Sequence, residues 1–322
     1  MRLLIIVLIV VILALLGGLI PTWRLAGKIY RSLLVRETPD KWKRTNSFPD
    51  DQEYSDMYAT GLRWGEKYAD HKQEVSVTSA GLKLVGEYFD FGSNKAVIII
   101  PGRTESCLYS YYFSEPYRLA GCNVLVIDNR AHGLSEGKYP TLGHMESKDL
   151  LEWGRLLHDT FGNEQVFLHG ICIGASSALF ALTKQDCPDY MAGMIADGMY
   201  TTFYESFKCH MRLDHHPVFP VALEVMAQIR LHAKADVVWD GPIRRIGSLR
   251  KPILMLHSRE DTFSLPKKAE ELFAKCPAAK KKLQFFDHGA HSRVRLKNTA
   301  EYDRTIVDFL TDLEDNPKET VS

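Results

Sequence analysis

The sequence lacks an excess of either charge. Its 40 basic residues balance 40 acidic ones, so neither a nucleic acid nor another strongly charged partner is expected. It also lacks C-x-x-C pairs and Cys…His ligand spacing. The six cysteines, at 107, 122, 172, 187, 209 and 276, are scattered, which argues against a structural zinc site and against a disulfide framework; free thiols in a reducing compartment are expected. Internal repeats and low-complexity tracts are absent, and no pattern calls for a cofactor. What remains is an ordinary globular composition: 322 residues, 45% hydrophobic and 25% charged, enough for one large core and an inserted subdomain.

One long hydrophobic run is present. Residues 3–20 are continuously apolar, and Pro21, Thr22 and Trp23 bring the uncharged span close to the ~20 residues that cross a bilayer core. A cleaved signal peptide is the competing reading, but the run exceeds the usual apolar stretch of roughly 7–15 residues and no A-x-A site follows. The expectation is a single-pass anchor over residues 1–23. Arg24, Lys28, Arg31 and Arg36 follow it while Arg2 alone precedes it, which would put the catalytic domain in the cytoplasm, tethered to the cell membrane. Residues 24–50 read as a juxtamembrane or linker helix, broken at Thr38-Pro39, and then a polar linker.

From residue 51 the pattern becomes that of a folded domain. Residues 52–68 carry apolar and aromatic side chains at helical spacing. Residues 74–78 and 82–89 alternate in polarity around Ser79-Ala80-Gly81, as an antiparallel strand pair would. Six apolar runs follow, at 96–100, 123–127, 166–169, 191–196, 253–257 and 283–286, separated by helical segments. That alternation implies a mostly parallel sheet covered on both faces, with ligands at the strands' carboxyl ends. The connection 200–249 is unusually long and reads as a helical cap over the site.

The chemistry centres on Gly170-Ile171-Cys172-Ile173-Gly174, between an apolar strand and a helix at 176–183. Small residues flanking a central nucleophile suit a tight strand-to-helix turn, and the adjoining helix N-terminus favours a thiolate. A thiol nucleophile needs a base and a group that orients it. The loop Ser258-Arg259-Glu260-Asp261 offers Asp261 or Glu260, and Asp287-His288-Gly289-Ala290-His291 offers His291 or His288. Asp197 is a second candidate acid. Two N–H groups must converge on the oxyanion; Ile173 supplies one, and Arg103 or Thr104, after the third strand, the other. The Arg103 side chain could instead hold a substrate carboxylate or phosphate, or face solvent. Asp128-Asn129-Arg130-Ala131-His132-Gly133-Leu134-Ser135 reads as a hydrogen-bonded structural loop. His210, His215 and His216 read as cap residues without metal-ligand geometry.

These motifs resemble the α/β-hydrolase superfamily from about residue 74 to the last helix. Asp128-x-Arg130-x-His132-Gly133-x-Ser135 is similar to its D-x-R-G-H-G-x-S loop, Ile195-Ala196-Asp197 to its sixth-strand exit, and His257-Ser258-Arg259-Glu260-Asp261 to its acid loop. The N-terminal segment is similar to that of bacterial membrane-anchored hydrolases. The Gly170-x-Cys172-x-Gly174 elbow is similar to those of dienelactone hydrolases and of bile-acid-CoA amino-acid acyltransferases. The resemblance implies an α/β-hydrolase fold and a Cys172–His291–Asp261 triad. Two departures stand out: cysteine replaces the usual serine, and Pro101-Gly102 replaces His-Gly before the oxyanion donor.

A thiolate attacking an acyl carbonyl gives a thioester, which water can hydrolyse or another acceptor can take over. Hydrolysis of an ester or thioester is therefore expected, with acyl transfer as the alternative; a catalytically silent membrane-tethered scaffold is a third possibility. Phe219, Val221, Leu223, Val225 and Met226 in the cap suggest a small, lipophilic acyl substrate.

Overall fold

The computed structural model describes residues 2–315 and, before residue 17, only the side chains of Ile5 and Ile6. Eight strands form one sheet: β1 (Lys72–Ser79), β2 (Leu82–Phe89), β3 (Lys95–Ile100), β4 (Asn123–Ile127), β5 (Gln165–Ile171), β6 (Met191–Asp197), β7 (Ile253–Ser258) and β8 (Lys281–Phe286). Their order is β1-β2-β4-β3-β5-β6-β7-β8. β2 pairs antiparallel with both β1 and β4, and every other neighbouring pair is parallel.

The unbroken apolar runs arise because the central strands are buried on both faces. In β3, Ile98 and Ile100 enter one core with Leu168 and Met194, while Val97 and Ile99 enter the opposite core with Phe167 and Ile195. Twelve α-helices lie among the described residues: α1 (Arg2–Leu34), α2 (Gln52–Lys67), α3 (Cys107–Ser110), α4 (Glu115–Leu119), α5 (Glu146–Asp159), α6 (Ile173–Leu182), α7 (Phe203–Leu213), α8 (Val221–His232), α9 (Pro242–Arg245), α10 (Pro266–Lys275), α11 (Val294–Lys297) and α12 (Thr299–Asp315). α5 and α6 cover the first core; α2 and α12 cover the second. The connection from β6 to β7 carries α7, α8 and α9, so the expected cap insertion is helical.

The expected membrane anchor is corrected. Among the described residues no helix is long and apolar enough to cross a membrane. The single-pass reading, the membrane as a partner and the localisation derived from it fall with that finding. The centre of the apolar run, residues 7–16, has its side chains outside the described residues. What the run leads into is visible. α1 continues through Pro21 to Leu34, and its second half docks on protein rather than lying on a membrane surface.

Ala26, Tyr30 and Leu34, spaced by four, are buried with Val221, Val225 and Ile229 of α8, also spaced by four. Such i±4 ridges pack into one another's grooves. Thr22 Oγ1 donates to Glu224 Oε1 at 2.8 Å, and the Tyr30 and His232 rings stack. Val221, Val225 and Met226, expected to greet a substrate, are therefore buried in this α1–cap cluster, while Phe219 and Leu223 are exposed.

Residues 37–50, expected as a linker, form a strap along the carboxyl edge of the sheet. Lys41 Nζ donates to the carbonyls of Arg31 and Val35 near the end of α1. Trp42 stacks on His132, and Arg44 pairs with Asp128 and Glu87 at 2.8 and 2.7 Å.

Candidate active site

β5 ends in a turn whose geometry explains the glycines around Cys172. Cys172 itself has φ 54° and ψ −108°, a backbone region that an L side chain adopts at a cost of about 1–3 kcal/mol. A Cβ on Gly170 would lie 2.2 Å from the Ala175 nitrogen, and one on Gly174 would lie 2.3 Å from the Ile100 carbonyl oxygen. Only glycine fits at either place. The Cys172 N–H donates to the Asp197 carbonyl at 2.8 Å, tying the turn to β6. Directly after it α6 begins, so the helix's N-terminal N–H groups and the positive end of its dipole lie next to Cys172.

His291 lies in the loop between β8 and α11, and Asp261 in the loop after β7. His291 Nδ1 donates to Asp261 Oδ2 at 2.7 Å. Asp261 Oδ1 in turn accepts the N–H groups of Phe263 and Ser264 at 2.8 and 2.7 Å, so the carboxylate is held by the backbone as well. Gly198, at φ +63°, packs against the ring; a Cβ there would sit 3.0 Å from His291 Cε1. The other ring nitrogen, Nε2, is buried and meets no nitrogen or oxygen partner among the described residues. Burial opposes protonation of this imidazole, but Cys172 and Asp261 outweigh it and raise its pKa well above the ordinary value. Asp261 is penalised by burial yet held below the usual carboxylate range, chiefly by His291.

Cys172, Asp261 and His291 thus meet at the carboxyl end of the sheet. The other candidates are placed elsewhere. His288 pairs with Glu260 on the surface, Nδ1 to Oε1 at 3.2 Å. Asp197 is buried and accepts from Tyr302 Oη at 2.7 Å, and burial pushes its carboxyl up to about 6. His215 and His216 are exposed, while His210 stacks on Phe263, whose ring meets His291 edge-on.

The oxyanion candidates are Ile173, first residue of α6, and Arg103, in the loop after β3. The Asp128–Ser135 loop fixes the second. Asp128 Oδ1 accepts the Cys107 N–H and Oδ2 the Leu134 N–H, Arg130 forms a two-point pair with buried Asp149, and the ring nitrogens of His132 meet the carbonyls of Arg130 and Arg103. Its role is structural.

Sequence reasoning missed Glu105. Its Oε2 is buried without a partner and packs where a Cβ on Gly102 would stand; burial pushes its carboxyl up, opposed first by Arg103. Its signal was its place two residues beyond Arg103 in the same loop. The contribution of α1 was also missed: Arg103 Nη1 donates to the Leu33 carbonyl at 3.2 Å.

Residues 95–219 match the family model described as alpha/beta hydrolase fold. This segment includes Cys172 but neither Asp261 nor His291. Over 225 residues the chain is 29% identical to YqkD of Bacillus subtilis (strain 168), covering 68% of this chain and 72% of that protein. Among solved structures it is similar to the Pyrococcus furiosus esterase Pf2001, with TM-score 0.66 and 23% identity over 77% of this chain and 93% of that one. An esterase from Exiguobacterium antarcticum gives TM-score 0.55 and 15% identity over 74% of this chain and 99% of that one. The strand order, the elbow, the matched segment and these neighbours give one answer: the chain has the α/β-hydrolase fold.

Proposed function

We propose that the chain hydrolyses a carboxylic ester or thioester through a Cys172–His291–Asp261 triad and a covalent acyl-thioenzyme. The observation that carries this reading is the state of His291. One ring nitrogen is bound to an oriented carboxylate, and the other is buried, without a nitrogen or oxygen partner among the described residues, and acted on by Cys172. That is the arrangement a general base needs. Both structural neighbours named above are esterases, which points the same way.

In the first half-reaction His291 Nε2 takes the thiol proton and Sγ bonds to the acyl carbon. The Ile173 and Arg103 N–H groups hold the oxyanion. As the tetrahedral intermediate collapses, the bond to the leaving oxygen or sulfur breaks and His291 returns the proton to it. In the second half, His291 deprotonates water, which attacks the thioester; the acid leaves and the proton goes back to Sγ. The apolar cluster of α1, α7 and α8 packs against Ile173 and Cys172, which suits an acyl chain.

The test is labelling by a thiol-directed acyl probe. Cys107, Cys122 and Cys276 are buried, leaving Cys187 and Cys209 as partly accessible rivals. Burial pushes Cys187 up to about 11 and raises Cys209 as well, so both should react slowly. Cys172 is expected to take the label first, and His291→Ala to abolish both the selectivity and the turnover of an aryl thioester. Equal labelling of all three accessible thiols would sink the triad.

A further inference from the structure

The proposed reaction uses the main-chain N–H of Arg103 and leaves its side chain without a task. Its guanidinium makes one hydrogen bond among the described residues, Nη1 to the Leu33 carbonyl at 3.2 Å. Among the described residues no carboxylate comes within ion-pair distance of it: Glu105 and Asp214 act on it only at longer range. The residue is half-buried and none of its nitrogens is sealed from solvent without a partner, so its open donors can meet a ligand. Here most of the planar fork of donors, which suits carboxylates and phosphates, stays open.

The surroundings show where the fork is aimed. Cys172 lies close enough to Arg103 to be the largest influence favouring its charged form. Beside it, Leu33 of α1, His210 of α7 and Asp214 just after that helix line a cleft of about 270 Å³ that also takes in Lys28, Phe207 and His216. His210 is held neutral, pushed down to about 3 by burial and by Arg103. Arg103 borders this cleft through its bond to the Leu33 carbonyl; in the lining itself Lys28 carries the permanent positive charge, Asp214 a carboxylate, and Ile29, Leu33, Phe207 and Met211 the apolar surface.

The geometry points to Arg103 as the receptor for an anionic group, a carboxylate or a phosphate, carried by the acyl half of the substrate a few bonds from the scissile carbonyl. The substrate is then an amphiphilic acyl donor whose charged end is read by the same loop that supplies the oxyanion N–H. This reading rests on the proposed function for its reaction, but not for its binding site. The rival explanation is that Arg103 serves only as counter-charge for the Cys172 thiolate.

Two measurements separate these. In the first, C172A protein, which lacks the thiolate, is titrated calorimetrically with hexanoate, hexylphosphonate and hexanol. Both anions, or one of them, should bind at least tenfold more tightly than hexanol, and the preference should vanish in the C172A/R103M double variant while R103K keeps part of it. The better of the two anions identifies the source of the charge. Equal binding of all three would overturn the proposal whether or not the protein turns over any acyl donor.

In the second, the full chain is assayed on chain-matched aryl thioesters ending in methyl, carboxylate or phosphonate. The kcat/KM ratio of anionic to neutral donor should exceed ten and fall to about one in R103M. If R103M instead slows all donors equally, leaves the ratio alone and raises the pH needed for Cys172 alkylation, Arg103 serves the thiolate and the proposal is wrong. Anion binding without turnover would preserve the receptor and refute the reaction.

Discussion

Replacing Asp261 by asparagine should leave the fold nearly intact and switch off the thiol. Asp261 Oδ1 accepts two backbone N–H groups, from Phe263 and Ser264, while Oδ2 faces His291 Nδ1. Asparagine has one oxygen, and the two backbone donors claim it. Its amide nitrogen must then turn to His291 and present a hydrogen where a lone pair stood. The imidazole can satisfy that only by moving its own proton from Nδ1 to Nε2, the nitrogen that has to accept from Cys172. The tautomer is wrong for a base. The same substitution of the orienting acid in a serine-protease triad costs about 10⁴ in kcat, and a loss of about 10³–10⁴ is expected here. Asp261→Ala should behave differently. It strands two buried N–H groups at about 1–3 kcal/mol each, so it should lose several degrees of Tm more than D261N. The assay is steady-state turnover of an aryl thioester beside a thermal melt and the pH profile of Cys172 alkylation. A D261N protein that keeps a tenth of the activity, or an unchanged alkylation profile, would refute the chain of reasoning from Asp261 through His291 to the sulfur.

Two further perturbations test the neighbourhood. Gly174→Ala would place a Cβ 2.3 Å from the Ile100 carbonyl oxygen; α6 must shift, at about 1–3 kcal/mol by analogy with overpacked cores, and the Ile173 N–H moves with it, so Tm and kcat should fall together, and a variant melting and turning over like the parent would show that the elbow is looser than its geometry. Asp197→Asn should stabilise the protein at alkaline pH. Burial lifts that carboxyl from 3.8 to about 6, so the native state holds a proton that the unfolded chain releases, and the stability contribution falls as pH rises from about 4 to about 6. A shift of about two units corresponds to about 3 kcal/mol. Asparagine keeps an acceptor for Tyr302 and removes that loss, so the gain should be largest above pH 6 and nearly absent at pH 4 in urea unfolding; a constant offset at both would contradict it.

The strands were legible because burial on both faces removes the polar half of their pattern. β4 was expected over the residues where it lies, but β8 begins at Lys281, two residues before the apolar stretch, because Lys281 and Lys282 pair with Ile253 and Leu254. Backbone pairing does not require apolar side chains, and lysine suits an edge strand. The two loops that bring Asp261 and His291 together were legible from their residues as two pairs of alternatives, between which the resemblance chose. A sequence shows that His288 and His291 are three apart; it does not show that Glu260 engages the first. Arg103's isolation was equally hidden, since a missing ion pair has no local pattern.

The helical segment that follows the N-terminal run was placed on the wrong surface for a more general reason. Hydropathy measures how apolar a segment is and says nothing about which surface meets it. Ala26, Tyr30 and Leu34 on α1 and Val221, Val225 and Ile229 on α8 are each weak signals, nearly 200 residues apart, and they have meaning only as a pair of matching ridges. Once paired, they carry α1 across the cap and place its Leu33 carbonyl on the guanidinium of Arg103. The helix therefore belongs to the same packed cluster as Ile173 and Cys172 of the elbow. It bonds the side chain of the residue whose backbone N–H is proposed for the oxyanion, so a substitution that loosens α1 from α8 should disturb the choice of acyl donor before it disturbs the thiol chemistry.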